Sequence, residues 1–123
     1  MQKETIENYC KTILFLDKGD SVKSVDIARE LGISKISVSI TLHKLREENY
    51  VEMRRYGKVH LTEKGKTVAR KISTKHRAIR DFLQDRLEIE RDRAMIEACA
   101  IEHHLSDNTM KKLTSFCKKL DKK

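Results

Sequence analysis

The stretch SVDIARELGISKISVSITLHKLREE, residues 24–48, decides how this chain folds. Ser24 offers an oxygen to cap a short helix from Val25 to Leu31, and Gly32 then supplies a left-handed position that ends it. Ser34 caps the next helix, which runs to about Glu48. Val25, Ile27, Ala28, Leu31, Ile33, Val38, Leu42 and Leu45 are the apolar contacts of the pair, and Ala28 is small enough to let the helices approach closely. Helix, tight turn and helix in this order form a helix-turn-helix.

Upstream, Ile6, Tyr9, Cys10, Ile13 and Leu16 recur at three- and four-residue steps, so a helix is expected over Thr5 to Asp17, ending at the Gly19-Asp20 break. Downstream, residues 50–55 and 58–61 alternate as two strands around Tyr56-Gly57, a hairpin that forms a wing. Thr62 then caps a long helix expected to reach Leu87, and its later apolar residues Ile72, Ile79, Phe82 and Leu83 extend beyond the small winged unit. Helices over Glu90 to Leu105 and Asp107 to Leu120, with Ser106 as the cap between them, complete the chain. Too few residues remain for a separate globule, so a homodimer interface is the natural place to bury their stripe of Met95, Ile96, Ala98, Ile101, Leu105, Met110, Leu113, Phe116 and Leu120. The expected fold is mainly α: a winged helix-turn-helix with a small two-stranded wing over 1–70, then a helical dimerisation domain over 71–123.

Length and composition agree with one compact chain of this kind. The 123 residues carry 27 Lys and Arg against 19 acids, a net charge of +8 that draws the protein toward a polyanion, of which double-stranded DNA is the first candidate. A merely solvated lysine-rich surface is the alternative, and the Lys118 to Lys123 cluster is read that way, as a frayed tail. Cys10, Cys99 and Cys117 are odd in number and widely spaced, and no secretory leader opens the chain, so a cytoplasmic protein with reduced thiols is expected. No apolar run approaches the roughly 20 residues that span a bilayer, and no membrane association is expected.

In a helix-turn-helix the second helix enters the major groove with its N-terminal residues nearest the base edges, so Ser34, Lys35, Ser37, Ser39 and Thr41 form the expected reading face. Arg54, Arg55, Tyr56 and Lys58 cluster at the wing tip, where they are expected to hold phosphate. A further constellation lies in Ala98-Cys99-Ala100-Ile101-Glu102-His103-His104: on a helix, Cys99, Glu102 and His103 stand at i, i+3 and i+4 and face one way. Thiolate, carboxylate and imidazole together form part of a coordination shell for a late first-row ion. Read alone, the same residues also suit a buried cysteine beside a surface ion pair.

Leu61-Thr62-x-x-Gly65 entering the long helix, Lys75-His76-Arg77 within it, and Ile101-Glu102-His103-His104-Leu105-Ser106 together resemble the diphtheria toxin repressor and manganese transport regulator family over essentially the whole chain. The resemblance implies a metal-responsive regulator, a repressor of metal-homeostasis genes, that binds palindromic DNA as a homodimer. It implies Asn8, Cys99, Glu102 and His103 as ligands, with His76 alongside. Asn8 departs from the aspartate or methionine usual at its position, and Lys11, Arg80 and Met95 stand where ancillary ligands are kept, so a single ion per subunit is expected. The sulfur donor tilts the choice toward Fe²⁺, with Mn²⁺ as the alternative and Co²⁺, Ni²⁺ or Zn²⁺ able to bind in vitro. The short form of the family, without a larger domain after Lys123, is expected. His43, His60 and His104 are read as structural. A winged-helix regulator responding to thiol oxidation at Cys99 is the rival reading. An enzyme is not expected, because no His-Glu-x-x-His, phosphate loop or nucleophile motif occurs.

Overall fold

The computed structural model describes residues 1–19 and 21–121; Asp20 of the expected break and the last two lysines of the tail lie outside them. The elements are α1 (Lys3–Leu16), β1 (Val22–Lys23), α2 (Ser24–Leu31), α3 (Lys35–Glu47), β2 (Val51–Arg54), β3 (Lys58–Leu61), α4 (Glu63–Asp81), α5 (Arg91–Ile101) and α6 (Asp107–Asp121). The chain divides into two compact units, Met1–Lys71 and Ile72–Lys123.

The first unit is a winged helix-turn-helix. Its core gathers the positions that helical spacing picked out: Tyr9 and Ile13 of α1, Ile27 and Ala28 of α2, Val38, Leu42 and Leu45 of α3, closed by Val22, Val51 and Val59 from the strands. Gly32 ends α2 at φ 67°, where glycine carries no Cβ penalty, and its N–H donates to Ala28 O. Ser34 caps α3 by accepting from the Ser37 N–H at 3.1 Å. Ile33, expected between the helices, is 42% exposed, because it lies in the turn and belongs to neither apolar stripe.

Ser24 does not cap α2. The chain passes directly from strand to helix there, Lys23 being the extended residue in front, with no side-chain cap bond. The reason is a third strand: β1 pairs antiparallel with β3, Val22 opposite Val59 and Lys23 opposite Lys58, and the sheet order is β1-β3-β2. At the wing tip Arg54 faces Lys58, so Arg55 belongs to the turn with Tyr56 and Gly57, and the last two have φ 64° and 70°.

Thr62 joins the wing to α4. Its hydroxyl donates to Asn49 O at 2.6 Å and accepts from the Gly65 N–H at 3.1 Å. Gly65 is buried so tightly that a Cβ there would lie 2.1 Å from Tyr50 O.

In the second unit Ile79 of α4, Ala98 of α5 and Met110 of α6 form the core, with Ala78, Leu83, Leu105 and Leu113 packed against it. The expected long helix continues past Asp81 as a π-helical turn, Phe82–Arg86. Only part of the C-terminal apolar stripe is inside: Met95 (40%), Ile96 (66%), Ile101 (40%) and Phe116 (54%) remain exposed, as does Leu87 before it. Among the described residues no helix is long and apolar enough to cross a membrane.

Candidate functional site

The second unit brings His76, Cys99 and Glu102 together, with one potential ligand atom of each lying within 4.8 Å of the others. His76 comes from the middle of α4, and Cys99 from the last turn of α5. Glu102 follows that helix, which ends four residues earlier than the expected Leu105. The shortening does not disperse the pair. Glu102 keeps helical dihedrals and its N–H still donates to Ala98 O, so its side chain falls one turn beyond Cys99 on the same side. Beyond it the backbone tightens, His104 N–H donating to Ile101 O three residues back.

The arrangement is held from beneath by Lys75. Its side chain is only 8% exposed, and Nζ donates to Leu105 O at 2.8 Å while lying 3.3 Å from Asp107 Oδ1. The turn after Glu102 is thus pinned to α4 one residue before His76.

Nδ1 of His76 lies 2.9 Å from Glu102 Oε2 and 3.6 Å from Cys99 Sγ. Glu102 is fully buried, His76 half-buried and Cys99 exposed. The hydrogen bond to Cys99, then that to Glu102, raises the His76 pKa from 6.5 to about 9 against the opposing effect of burial. At neutral pH, therefore, a proton on Nδ1 occupies the point where two acceptors converge. A cation fits that point: thiolate and carboxylate together offer two negative charges, and the imidazole a neutral nitrogen once the proton leaves.

Of the other expected ligands, His103 is buried beside the cluster, its Nε2 3.4 Å from the second carboxylate oxygen of Glu102. His76, which the spacing of residues 99–103 could not reveal, enters the cluster directly. Asn8 is half-buried on α1 in the first unit. Cys10, also on α1, is a core residue whose thiol is pushed up to about 12 by burial and by Glu7, which leaves it protonated and inert.

On the helix-turn-helix, Ser34, Lys35, Ser37 and Ser39 are exposed, whereas Thr41 is half-buried, turned toward the side of α3 that carries Val38, Leu42 and Leu45. Arg54, Arg55 and Tyr56 are exposed at the wing tip and Lys58 is half-buried. Arg54 lies 3.8 Å from Glu52, with both side chains more than 60% exposed, a pairing too weak to withhold the guanidinium. Sequence reasoning passed over Ile36 and Ile40, which are 75% and 54% exposed on α3. Their signal was available: they fall opposite the buried residues when α3 is stepped at 100° per residue.

The chain matches the iron dependent repressor N-terminal DNA binding domain over residues 1–59, and the iron dependent repressor metal binding and dimerisation domain over residues 62–123. It is 35% identical to an uncharacterized HTH-type transcriptional regulator of Methanocaldococcus jannaschii, over 98% of each chain. It is 28% identical to the transcriptional regulator MntR of Salmonella typhimurium, over 94% of this chain and 73% of the relative. The solved structure of the manganese regulator SloR resembles it with a TM-score of 0.82 and 31% identity, covering 92% of this chain and 53% of that one. The chain therefore spans about half the length of that structural relative. It belongs to the iron-dependent repressor family, a family of metal-dependent, DNA-binding transcriptional repressors. The resemblance read from the Lys75-His76-Arg77 and Ile101–Ser106 segments holds.

Proposed function

We propose that this chain is a repressor controlling metal homeostasis, binding palindromic DNA as a homodimer when one divalent transition-metal ion is held by each subunit. The observation that carries the reading is the convergence of His76, Cys99 and Glu102 within 4.8 Å, in the unit matched by a metal binding and dimerisation domain. His76, Cys99 and Glu102 hold the ion, and His103 lies buried beside the other oxygen of the Glu102 carboxylate, its Nε2 at 3.4 Å. The thiolate favours Fe²⁺ over Mn²⁺ as the physiological ion, although several structural relatives are named for manganese. When bound, the ion supplies positive charge in place of the Nδ1 proton and biases the population toward the DNA-competent dimer. Ser34, Lys35, Ser37 and Ser39 with the wing residues Arg54, Arg55, Tyr56 and Lys58 face the operator, the first group on bases and the second on phosphate. Thr41 belongs to this surface only at its buried edge.

The test is anaerobic titration with Fe²⁺ and with Mn²⁺, reading DNA affinity by gel shift, for the unaltered chain and for Cys99→Ala, Glu102→Ala and Asn8→Ala. Affinity should rise with metal in the unaltered chain and stay flat in the Cys99 and Glu102 variants. Equal affinity in every sample would end the metal-switch reading. One observation favours a second reading, a thiol switch: Cys99 is exposed and its sulfur stands 3.6 Å from Nδ1 of His76. That reading requires DNA affinity to follow peroxide treatment in chelator-washed protein.

A further inference from the structure

We propose that the first unit carries a further ligand site, a cleft between α1 and α4 that takes a small organic monocarboxylate with a flat apolar body. The inference stands apart from the metal and DNA readings above and from the residues that carry them. The cleft has a volume of about 360 Å³ and lies wholly within Met1–Lys71. Lys3, Ile6 and Glu7 line it from α1, Tyr50 from the position before β2, and Val68 and Lys71 from α4. That size stands at the lower end of ligand cavities and suits a guest of roughly ten non-hydrogen atoms.

The walls are already in place. Tyr50 is held through its backbone on both sides: its N–H donates to Leu45 O at 2.9 Å, and its carbonyl accepts from the Thr62 N–H at 3.1 Å. Lys64 lies over its ring, with Nζ 4.2 Å from the centroid, and donates to Glu48 O at 2.8 Å. Ile6, Tyr50 and Val68 are all half-buried, which leaves apolar surface on each for a guest to cover. A rigid, unsaturated body packs against such a ring with little loss of conformational freedom.

Charge then selects the guest. Lys3 and Lys71 come from different helices and are both exposed, whereas Glu7, the one acid of the lining, is 8% exposed. Two cations against one carboxylate leave the lining with one positive charge in excess, the complement of a monoanion. Glu7 also has Lys11 one turn further along α1, at the i to i+4 spacing where Glu and Lys attract each other. A neutral apolar guest would leave the excess unanswered, and a dianion would exceed it.

The probe is cinnamate, with cinnamamide as its neutral counterpart of the same shape. Methyl and aromatic NMR of the isotope-labelled full chain should show cinnamate shifting the signals of Ile6, Tyr50 and Val68, with a Kd of about 1 mM or below. Cinnamamide should bind about tenfold more weakly, and Lys3→Gln and Lys71→Gln should each weaken cinnamate about threefold while leaving cinnamamide unchanged. Both lysines are exposed, so these variants keep the fold. Val68→Phe should fill the cleft and abolish binding of both probes. Equal binding of cinnamate and cinnamamide overturns the proposal. So do shifts confined to the exposed apolar residues Met95, Ile96 and Phe116 of the second unit, or no shift at all at millimolar cinnamate. Every sample is free of metal and DNA, so failure here leaves the metal-switch reading standing.

Discussion

Nδ1 of His76 stands 2.9 Å from Oε2 of Glu102, joining the middle of α4 to the residue that follows α5. Glu102 is wholly buried, and a buried carboxylate is tolerated only when a positive partner accompanies it. In this site the partner is a proton on His76, and the proposed ion would take its place, so that occupancy and protonation would be alternatives at one point.

Metal affinity should consequently depend on pH. The raised His76 pKa, about 9, means that binding below it releases the Nδ1 proton. The apparent affinity for Zn²⁺ should rise about tenfold per pH unit or more between pH 6.5 and 8.5. Without metal the sign reverses for stability: the contribution of protonated His76 is fully present below pH 6.5 and fades as pH rises through about 9. Calorimetric titration in buffers of different ionisation enthalpy checks the proton count, and a pH-independent affinity would contradict the assignment.

Cys99→Ser should separate ligation from folding. The residue is exposed, so the unfolding free energy should change by less than about 0.5 kcal/mol. Loading with Co²⁺ should give a sulfur-to-metal charge-transfer absorption in the unaltered protein and none in the variant. Retention of that band would exclude Cys99 as a ligand.

Lys75→Met keeps an apolar stem but removes the charge-assisted bond to Leu105 O and the Asp107 pair. A loss of about 1.5–3 kcal/mol in urea unfolding is expected, together with weaker metal binding, since the turn carrying Glu102 is no longer pinned. A variant as stable as the parent would show that the turn holds itself.

Gly65→Ala tests the close approach of α4 to the strand entry. Alanine ordinarily stabilises a helix by up to about 1 kcal/mol relative to glycine. Here its Cβ would meet a backbone oxygen at 2.1 Å, so the expected sign is opposite, a destabilisation of about 1–3 kcal/mol. Thermal unfolding decides it by sign alone.

Ile96→Glu should dissociate the proposed dimer. Ile96 is 66% exposed among the apolar residues left outside the second core, and a twofold interface would present it from both subunits. Sedimentation at micromolar concentration should show a monomer with unchanged helix content, whereas an unchanged subunit number would move the interface elsewhere.

Much of this architecture was legible in residue spacing. The turn at Gly32, the cap at Ser34 and the core side of α3 each follow from one local rule acting within a few residues. Features that needed distant partners were not legible. Strand β1 is two residues long and carries no periodic signal; it exists because Val22 and Lys23 find Val59 and Lys58. The contact of Lys75 with the turn after α5 is likewise beyond local pattern, since the carbonyl it captures lies 30 residues away.

By itself the chain's order of residues determined a winged helix-turn-helix, a basic charge balance and a thiol, a carboxylate and imidazoles near one helical turn, since side-chain direction along a helix follows from spacing alone. Only the tertiary structure decided which imidazole completes the cluster. Packing of Ile79, Ala98 and Met110 into one core carries His76 across a gap of 23 residues to Cys99, and places His103 on the far oxygen of Glu102. Proximity between residues so far apart is set by the burial of apolar surface from three helices at once, which no local pattern encodes.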